Sequence, residues 1–281
     1  NATNALSGPV SSVCWTGSRF IAVGHNSSTQ IFTSYSTNGT SWTSGNSTTV
    51  VSAVYTGNMC IRHDGTTGII AGANGQSTWV HTTTDGTTLT PVIMPAVISA
   101  SPRVAVVTAL GNNRWLIGNS TNTAAFRSNN GGGTDWTQHN LPVAAKALIG
   151  LADRFVLGNL QSLYSSTTGA NGSWTTHTYQ VANHFLGNTT TANYSFLINS
   201  LNSLRYDGTR LWVGNEIGAS TNTYANSVMY TIDLTSLSSA NWTQLQSSVV
   251  FNGNTTQSAA IVPIVCGTRL LFIKEVGLSG G

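Results

Sequence analysis

One short figure recurs along this chain: a tight turn, usually closed by Arg, then three or four strand-forming residues, then Gly. It reads Thr16-Gly17-Ser18-Arg19-Phe20-Ile21-Ala22-Val23-Gly24 early in the chain and Asp207-Gly208-Thr209-Arg210-Leu211-Trp212-Val213-Gly214 late in it. Arg114, Arg154 and Arg269 hold the same place in three further copies, and a degenerate copy has Thr67 there. Successive copies are spaced by 48, 47, 40, 56 and 59 residues. A period of this length implies an array of one small unit, since no unit could bury its apolar face alone.

A second figure follows the first. Ser36-Thr37-Asn38-Gly39-Thr40-Ser41-Trp42 aligns without a gap on Thr83-Thr84-Asp85-Gly86-Thr87-Thr88-Leu89, 47 residues later. Looser versions run over 128–136 and 166–174, ending in Trp136 and Trp174, and Trp242 marks a worn fifth. Asn-Gly and Asp-Gly between strand-like runs predict type I′ hairpin turns, whose two central residues need positive φ. The Trp three residues past the Gly is expected early in the next strand, covering the hairpin from one side.

Each unit therefore holds about four short strands. This pattern predicts an all-β chain folded as a β-propeller of about six four-stranded antiparallel blades. No stretch keeps a three-and-four apolar spacing, so helices should be few and short. The expected layout is one domain over 1–281, with units near 9–50, 51–102, 103–143, 144–197, 198–255 and 256–281. Only 12 residues follow Arg269, too few for a full last unit. Closure by a strand from 1–8 is one reading; a cut chain, or one continuing past Gly281, is the other. No leader pattern is visible at the start; the chain begins at Asn1 without an initiator Met, so it reads as processed or as a piece of something longer.

Composition limits what such an array can do. Of 281 residues, 11 are Lys or Arg and 8 are Asp or Glu, so 7% are charged against about 25% in a usual soluble domain. The 40% hydrophobic fraction is ample for a packed core, leaving a surface of hydroxyls and amides. A formal charge of +3 without any basic run gives no footprint for nucleic acid. Apolar stretches such as 104–110, which contains Thr108, are too short for membrane insertion. Cys14, Cys60 and Cys266 read as small strand residues; none has the close spacing of a metal site, and no cofactor is implied.

The Ser-x-Asn-Gly-x-x-Trp figure resembles a shortened Asp-box (BNR) repeat, a hairpin motif of sialidases and many secreted propellers. Together with 20–24 and 31–42 it is also similar to propeller repeats in virion proteins of large DNA viruses and bacteriophages. The resemblance covers most of the chain and implies a β-propeller in which the motif is a structural turn. This chain departs from the usual box by carrying Asn38 for Asp and one residue fewer before Trp42.

Sialidase-like glycoside hydrolysis, the enzyme reading the resemblance invites, needs arginines on a carboxylate plus acidic groups and a Tyr. Five of the nine arginines sit at the repeat position: Arg19, Arg114, Arg154, Arg210 and Arg269. They are expected to brace turns by donating to carbonyls of their own blade. Asp64, Asp85, Asp153 and Asp207 fall in repeat turns, leaving Asp135, Asp233, Glu216 and Glu275. The six histidines read as loop residues exposed to solvent, and no catalytic residue is assigned. The non-catalytic reading is attachment or display on a virion or outside cells, by recognising glycan or a neighbouring structural protein in a multi-copy assembly. Its alternative is a purely structural capsid, fibre or tail subunit. Candidate contacts lie in the variable segments 44–50, 91–103, 176–199, 215–227 and 244–258. Tyr179, His184, Phe185, Tyr194 and Tyr224 are the choices, because rings beside amides and hydroxyls suit sugars. Among ten Asn-x-Ser/Thr sequons, Asn26, Asn46, Asn119 and Asn188 are candidate glycosylation sites.

Overall fold

In a computed structural model the described residues are 8–26, 30–49, 59–73, 78–95, 104–109, 114–120, 122–130, 132, 134–159, 162–178, 204–214, 216–217, 228–237, 242–244, 259–266 and 269–276. They form strands and turns, with no helix among them. The first sheet is β1 (Val10–Trp15), β2 (Phe20–His25), β3 (Gln30–Ser36) and β4 (Thr43–Thr49). The second is β5 (Met59–His63), β6 (Gly68–Ala73), β7 (Thr78–Thr83) and β8 (Thr90–Val92). The third is β9 (Val104–Ala109), β10 (Arg114–Asn119), β11 (Ala124–Ser128) and β12 (Thr137–Asn140). The fourth is β13 (Ala147–Gly150), β14 (Phe155–Asn159), β15 (Ser162–Ser166) and β16 (Thr175–Thr178). In these four, spatial order follows chain order.

The fifth sheet joins β17 (Leu204–Tyr206), β18 (Leu211–Gly214), β20 (Val228–Thr231) and β21 (Thr243–Gln244). The sixth has three strands, β19 (Glu216–Ile217), β22 (Ala259–Cys266) and β23 (Arg269–Val276), in that order. Its short third member thus comes from the connection after β18, pairing Glu216 with Ala260, which the repeat pattern does not foretell. The closing strand expected from 1–8 falls almost wholly on 1–7, outside the described residues.

The chain divides into two compact units. The first is Asn1–Ala145, Gly150–Phe155 and Thr167–Ser173; the second is Lys146–Ile149, Val156–Ser166 and Trp174–Gly281. In the first unit, apolar layers lie between successive sheets. Ile21, Val23 and Ile31 of the first sheet meet Met59, Ile61 and Ile70 of the second. From the other face of the second sheet, Ile69, Ala71 and Val80 meet Trp115, Ile117, Phe126 and Trp136 of the third. Ile69 and Ile70 point to opposite layers because side chains alternate along a strand. A second strand covered on both faces reads as a continuous apolar run, as Ile21-Ala22-Val23 and Trp115-Leu116-Ile117 do. Each such Ile, Val or Leu side chain contributes about 1.5–3 kcal/mol on burial. β4, by contrast, is mostly exposed Thr, Ser and Asn. Segment 44–50, expected as a variable insertion, is largely this fourth strand.

In the second unit, Val156, Leu157 and Leu163 are buried, as are Leu204, Leu211, Val213 and Leu237. Trp242 is buried too, and its indole N–H donates to the Leu237 carbonyl at 3.2 Å.

Layers in the first unit are also keyed by loops. The loop after β7 reaches the first sheet, where the Thr33 hydroxyl donates to the Gly86 carbonyl at 2.6 Å. A Cβ on Gly86 would stand 3.0 Å from Ile21 Cγ2, and Gly86 has φ +82°. Gly169 (φ +72°) lies likewise against Phe155 and Leu116, and Leu116 matches Ile21 in the repeat. Gly208 has φ +96° but no atom within 4 Å of its would-be Cβ. Gly208→Ala should therefore cost only the left-handed strain, about 1–2 kcal/mol. Gly86→Ala should add about 1–3 kcal/mol of overpacking. Urea unfolding of the two variants measures the difference, which equal losses would remove.

Candidate functional site

Adjacent antiparallel order puts both motif turns at the same end of each complete four-stranded sheet. The first turn is a tight hairpin. The Thr16 N–H donates to the Arg19 carbonyl at 2.9 Å, Asp64 to Thr67 at 3.1 Å and Asp207 to Arg210 at 3.2 Å. Gly17, Gly65 and Gly208 carry φ of 103°, 101° and 96°, a positive value that a side chain would resist. The residue before each glycine holds the turn with its own oxygen. Thr16 Oγ1 accepts from the Arg19 N–H at 3.1 Å. Asp64 Oδ1 accepts from Thr66 and Thr67 N–H at 2.8 and 2.7 Å. Asp207 Oδ1 does the same for Thr209 and Arg210 at 2.8 and 2.6 Å.

The second turn corrects the type I′ expectation. The connection runs over 37–42 and 84–89 in the first two sheets, 129–136 and 167–174 in the next two, and 232–242 in the fifth. Trp42, Leu89, Trp136, Trp174 and Trp242 all stand immediately before the fourth strand rather than within it. The loop is wider because side chains, not ladder bonds, tie its N–H groups. Ser36 Oγ accepts from the Gly39 N–H at 2.9 Å, and Thr83 Oγ1 from that of Gly86 at 2.9 Å. Thr231 Oγ1 accepts from the Asp233 N–H at 3.1 Å. Two residues past the hydroxyl, Asn38 Oδ1 accepts from Thr40 and Ser41, each at 2.9 Å. Asp85 Oδ1 takes the Thr87 N–H at 2.8 Å, and Asp233 Oδ1 those of Thr235 and Ser236 at 3.0 and 3.1 Å. Gly39 has φ +73°, and its carbonyl accepts from the Trp42 indole at 3.1 Å.

Sequence reasoning named the first Ser or Thr of the second figure but missed its role as the hydroxyl closing the third strand of each four-stranded sheet. Ser36, Thr83, Ser128, Ser166 and Thr231 end β3, β7, β11, β15 and β20, and none is more than 3% exposed. The signal was available, since a Ser or Thr stands at that place in all five loops.

All six aspartates are engaged. Asp135 accepts from Asn129 and Asn130 N–H at 3.1 and 3.3 Å and from the Ser128 hydroxyl. Asp153 pairs with Arg154 at 2.7 Å. The Thr87 hydroxyl and N–H hold the Asp85 carboxyl below its ordinary value, and the Arg154 hydrogen bond does so for Asp153. Burial pulls Asp207 upward, but the Arg210 N–H and the Trp212 indole outweigh it. Depressed folded values mean that their stabilisation is complete above the unfolded pKa of about 3.9 and is lost as pH falls through the folded values. Thermal melts from pH 5 to pH 2 should fall steeply below about pH 4 and less so in Asp85→Asn/Asp207→Asn; coincident profiles would contradict this.

The repeat arginines do not share the role expected of them. Arg19 lies 5.2 Å above the Tyr35 ring. Arg210 lies over Trp212 and Tyr230 at 5.8 and 5.4 Å. Arg154 binds its neighbour Asp153. Arg114 donates to the Thr167 carbonyl in the fourth sheet's loop, not in its own blade, and Arg127 donates to Thr168 beside it. Nothing is described of the Arg269 side chain.

His81 also departs from the reading of exposed loop histidines: it lies in β7 and is 4% exposed. His177 meets the Ser165 hydroxyl at 2.8 Å. Burial pushes the Cys14 thiol up to about 12, so it is no nucleophile at neutral pH. Among the described residues no three His, Cys, Asp or Glu side chains converge on a metal position.

Tyr179, His184, Phe185, Tyr194 and Tyr224 lie outside the described residues, as does Asn188. Asn26 and Asn46 are exposed. Asn119 is not a place for a glycan: it is the last residue of β10 and 2% exposed. An aromatic row not foreseen crosses the first sheet's turn end, with Trp15–Phe20 and Phe20–Trp42 centroids 4.6 and 6.5 Å apart. Trp15 is 48% exposed.

No protein-family model and no curated protein matches this chain. Solved structures do. YCF48 from Cyanidioschyzon merolae is similar over 93% of this chain and 81% of its own, at 13% identity and TM-score 0.54. A protein from Lactobacillus plantarum is similar over 95% and 84%, at 12% identity and TM-score 0.51. The GH74 enzyme of Niastella koreensis is similar over 90% of this chain but only 40% of its own, at 17% identity and TM-score 0.52. Such identities speak for fold and not for activity. With the antiparallel four-stranded sheets, they give this chain a β-propeller fold.

Proposed function

We propose that this propeller is a non-catalytic module for attachment or display, on a virion or another extracellular assembly, that recognises glycan or a neighbouring structural protein. One observation carries the reading: every aspartate accepts hydrogen bonds within a turn or pairs with an adjacent Arg. A carboxylate fixed by backbone N–H groups is a poor general acid, because those bonds favour its charged form. The fold neighbours include a GH74 enzyme, so glycoside hydrolysis is the reading to exclude. The second loop, with Ser36, Asn38, Gly39 and Trp42, is read as a shortened relative of the Asp-box. It is a scaffold here, leaving recognition to the variable segments that hold Tyr179, His184, Phe185, Tyr194 and Tyr224.

A glycan array and a parallel hydrolysis screen on the same glycans test this. Binding without turnover is expected, and Tyr179→Ala or Tyr194→Ala should weaken it about tenfold, near 1.4 kcal/mol. Release of free sugar, abolished by one Asp→Ala change that leaves the melting temperature intact, would overturn the proposal. Binding of a purified assembly protein, with silence on the array, would select that partner over glycan.

A further inference from the structure

Among the apolar side chains of the layer between the first and second sheets stands one buried ionisable ring. His81 stands opposite Ile70 in the β6–β7 ladder, and Ile70 is part of the cluster joining the two sheets. Trp79, two residues away on the same face, packs against that cluster. Its ring meets the imidazole edge-on, centroids 5.7 Å apart. Both rings carry a buried nitrogen with no hydrogen-bond partner, Trp79 Nε1 and His81 Nδ1.

The repeat shows that the fold does not require an imidazole there. The matching residue is Ser34, opposite Ala22, in the first sheet and Phe126, opposite Ile117, in the third. Both are fully buried, so the position accepts a small hydroxyl or a plain ring.

Among the described residues no charge compensates His81. On its own sheet, His63 is held by the Gly65 N–H and the Thr84 carbonyl, and the Arg62 guanidinium donates to the Ile61 carbonyl. From the first sheet, the Cys14 thiol is neutral, Arg19 covers Tyr35, and His25 ends β2. Asp85, beyond β7, is tied to Thr87 and feels Arg19. The His81 pKa is lowered, and burial is the cause.

We propose that His81 is an acid-sensitive joint between the first two sheets. At neutral pH the uncharged ring packs in the layer. Protonation there places a charge and a second N–H among Ile70, Trp79 and their neighbours, where neither finds a partner, and the two sheets part. The sign follows from linkage: a folded pKa below the unfolded value of about 6.5 leaves stability whole above that pH and erodes it below.

The test uses the full chain, with amide exchange corrected for intrinsic pH effects, from pH 7.5 to 5. Amides of 69–71 and 80–81 should lose protection by up to about tenfold per pH unit below 6.5. Those of 115–117, between the second and third sheets, should lose less. In His81→Phe and His81→Ser, which copy the residues of the sister sheets, the extra loss should vanish. Equal pH dependence in all three proteins would overturn the proposal. NMR titration of the wild-type ring decides even if neither variant folds: a midpoint well below that of an exposed His supports it, and an ordinary midpoint refutes it.

Discussion

A buried hydroxyl ending the third strand of each four-stranded sheet is the interaction on which the motif-bearing ends of those sheets depend. Where β3 or β7 stops, the chain must turn through a wide loop whose first N–H groups have left the ladder. An N–H buried without a partner costs about 1–3 kcal/mol. Thr83 prevents that cost for the buried Gly86 N–H at 2.9 Å; Ser36, Asn38 and Asp85 tie the equivalent, more exposed N–H groups in the same way. The loop so formed serves as a packing surface. In the first unit Gly86 presses on Ile21, and the loop at 167–169 is held by Leu116, Arg114 and Arg127. Local turn chemistry thus becomes the means by which one sheet is keyed to the next.

Scarce charge follows from that arrangement. Thr16, Asp64 and Asp207 hold equivalent first turns, and Asn38, Asp85 and Asp233 equivalent second ones. The exchange of Thr or Asn for Asp shows that the turns need an acceptor oxygen rather than a negative charge. A chain can then lose most of its acids without losing its architecture. It can also hold the acids it keeps for structure, which is the physical basis for the non-catalytic reading.

The blades were legible because their punctuation is local. A Gly at positive φ behind Thr16, Asp64 or Asp207, followed by a doubly buried strand, leaves the same trace wherever it occurs. Features set by neighbouring sheets were not legible. Five arginines occupy one repeat position, yet their partners are a ring for Arg19, a carbonyl of the next sheet for Arg114 and a carboxylate for Arg154. His81 and Asn119 looked like exposed polar residues, although each stands in a strand between packed layers. The second loop was misread because Asn-Gly alone suggests a two-residue turn, whereas the preceding Ser or Thr lengthens it. The ring-bearing segments chosen for ligand contact lie outside the described residues, so the site itself rests on sequence.

The acids of these turns serve as acceptors, and urea unfolding of Asp207→Asn beside Asp207→Ala at neutral pH tests this most directly. Asn keeps an oxygen for the Thr209 and Arg210 N–H groups and should lose little, whereas Ala should lose about 1–2 kcal/mol. Equal losses for Asn and Ala would make the charge, not the acceptor, the essential feature and would contradict the account.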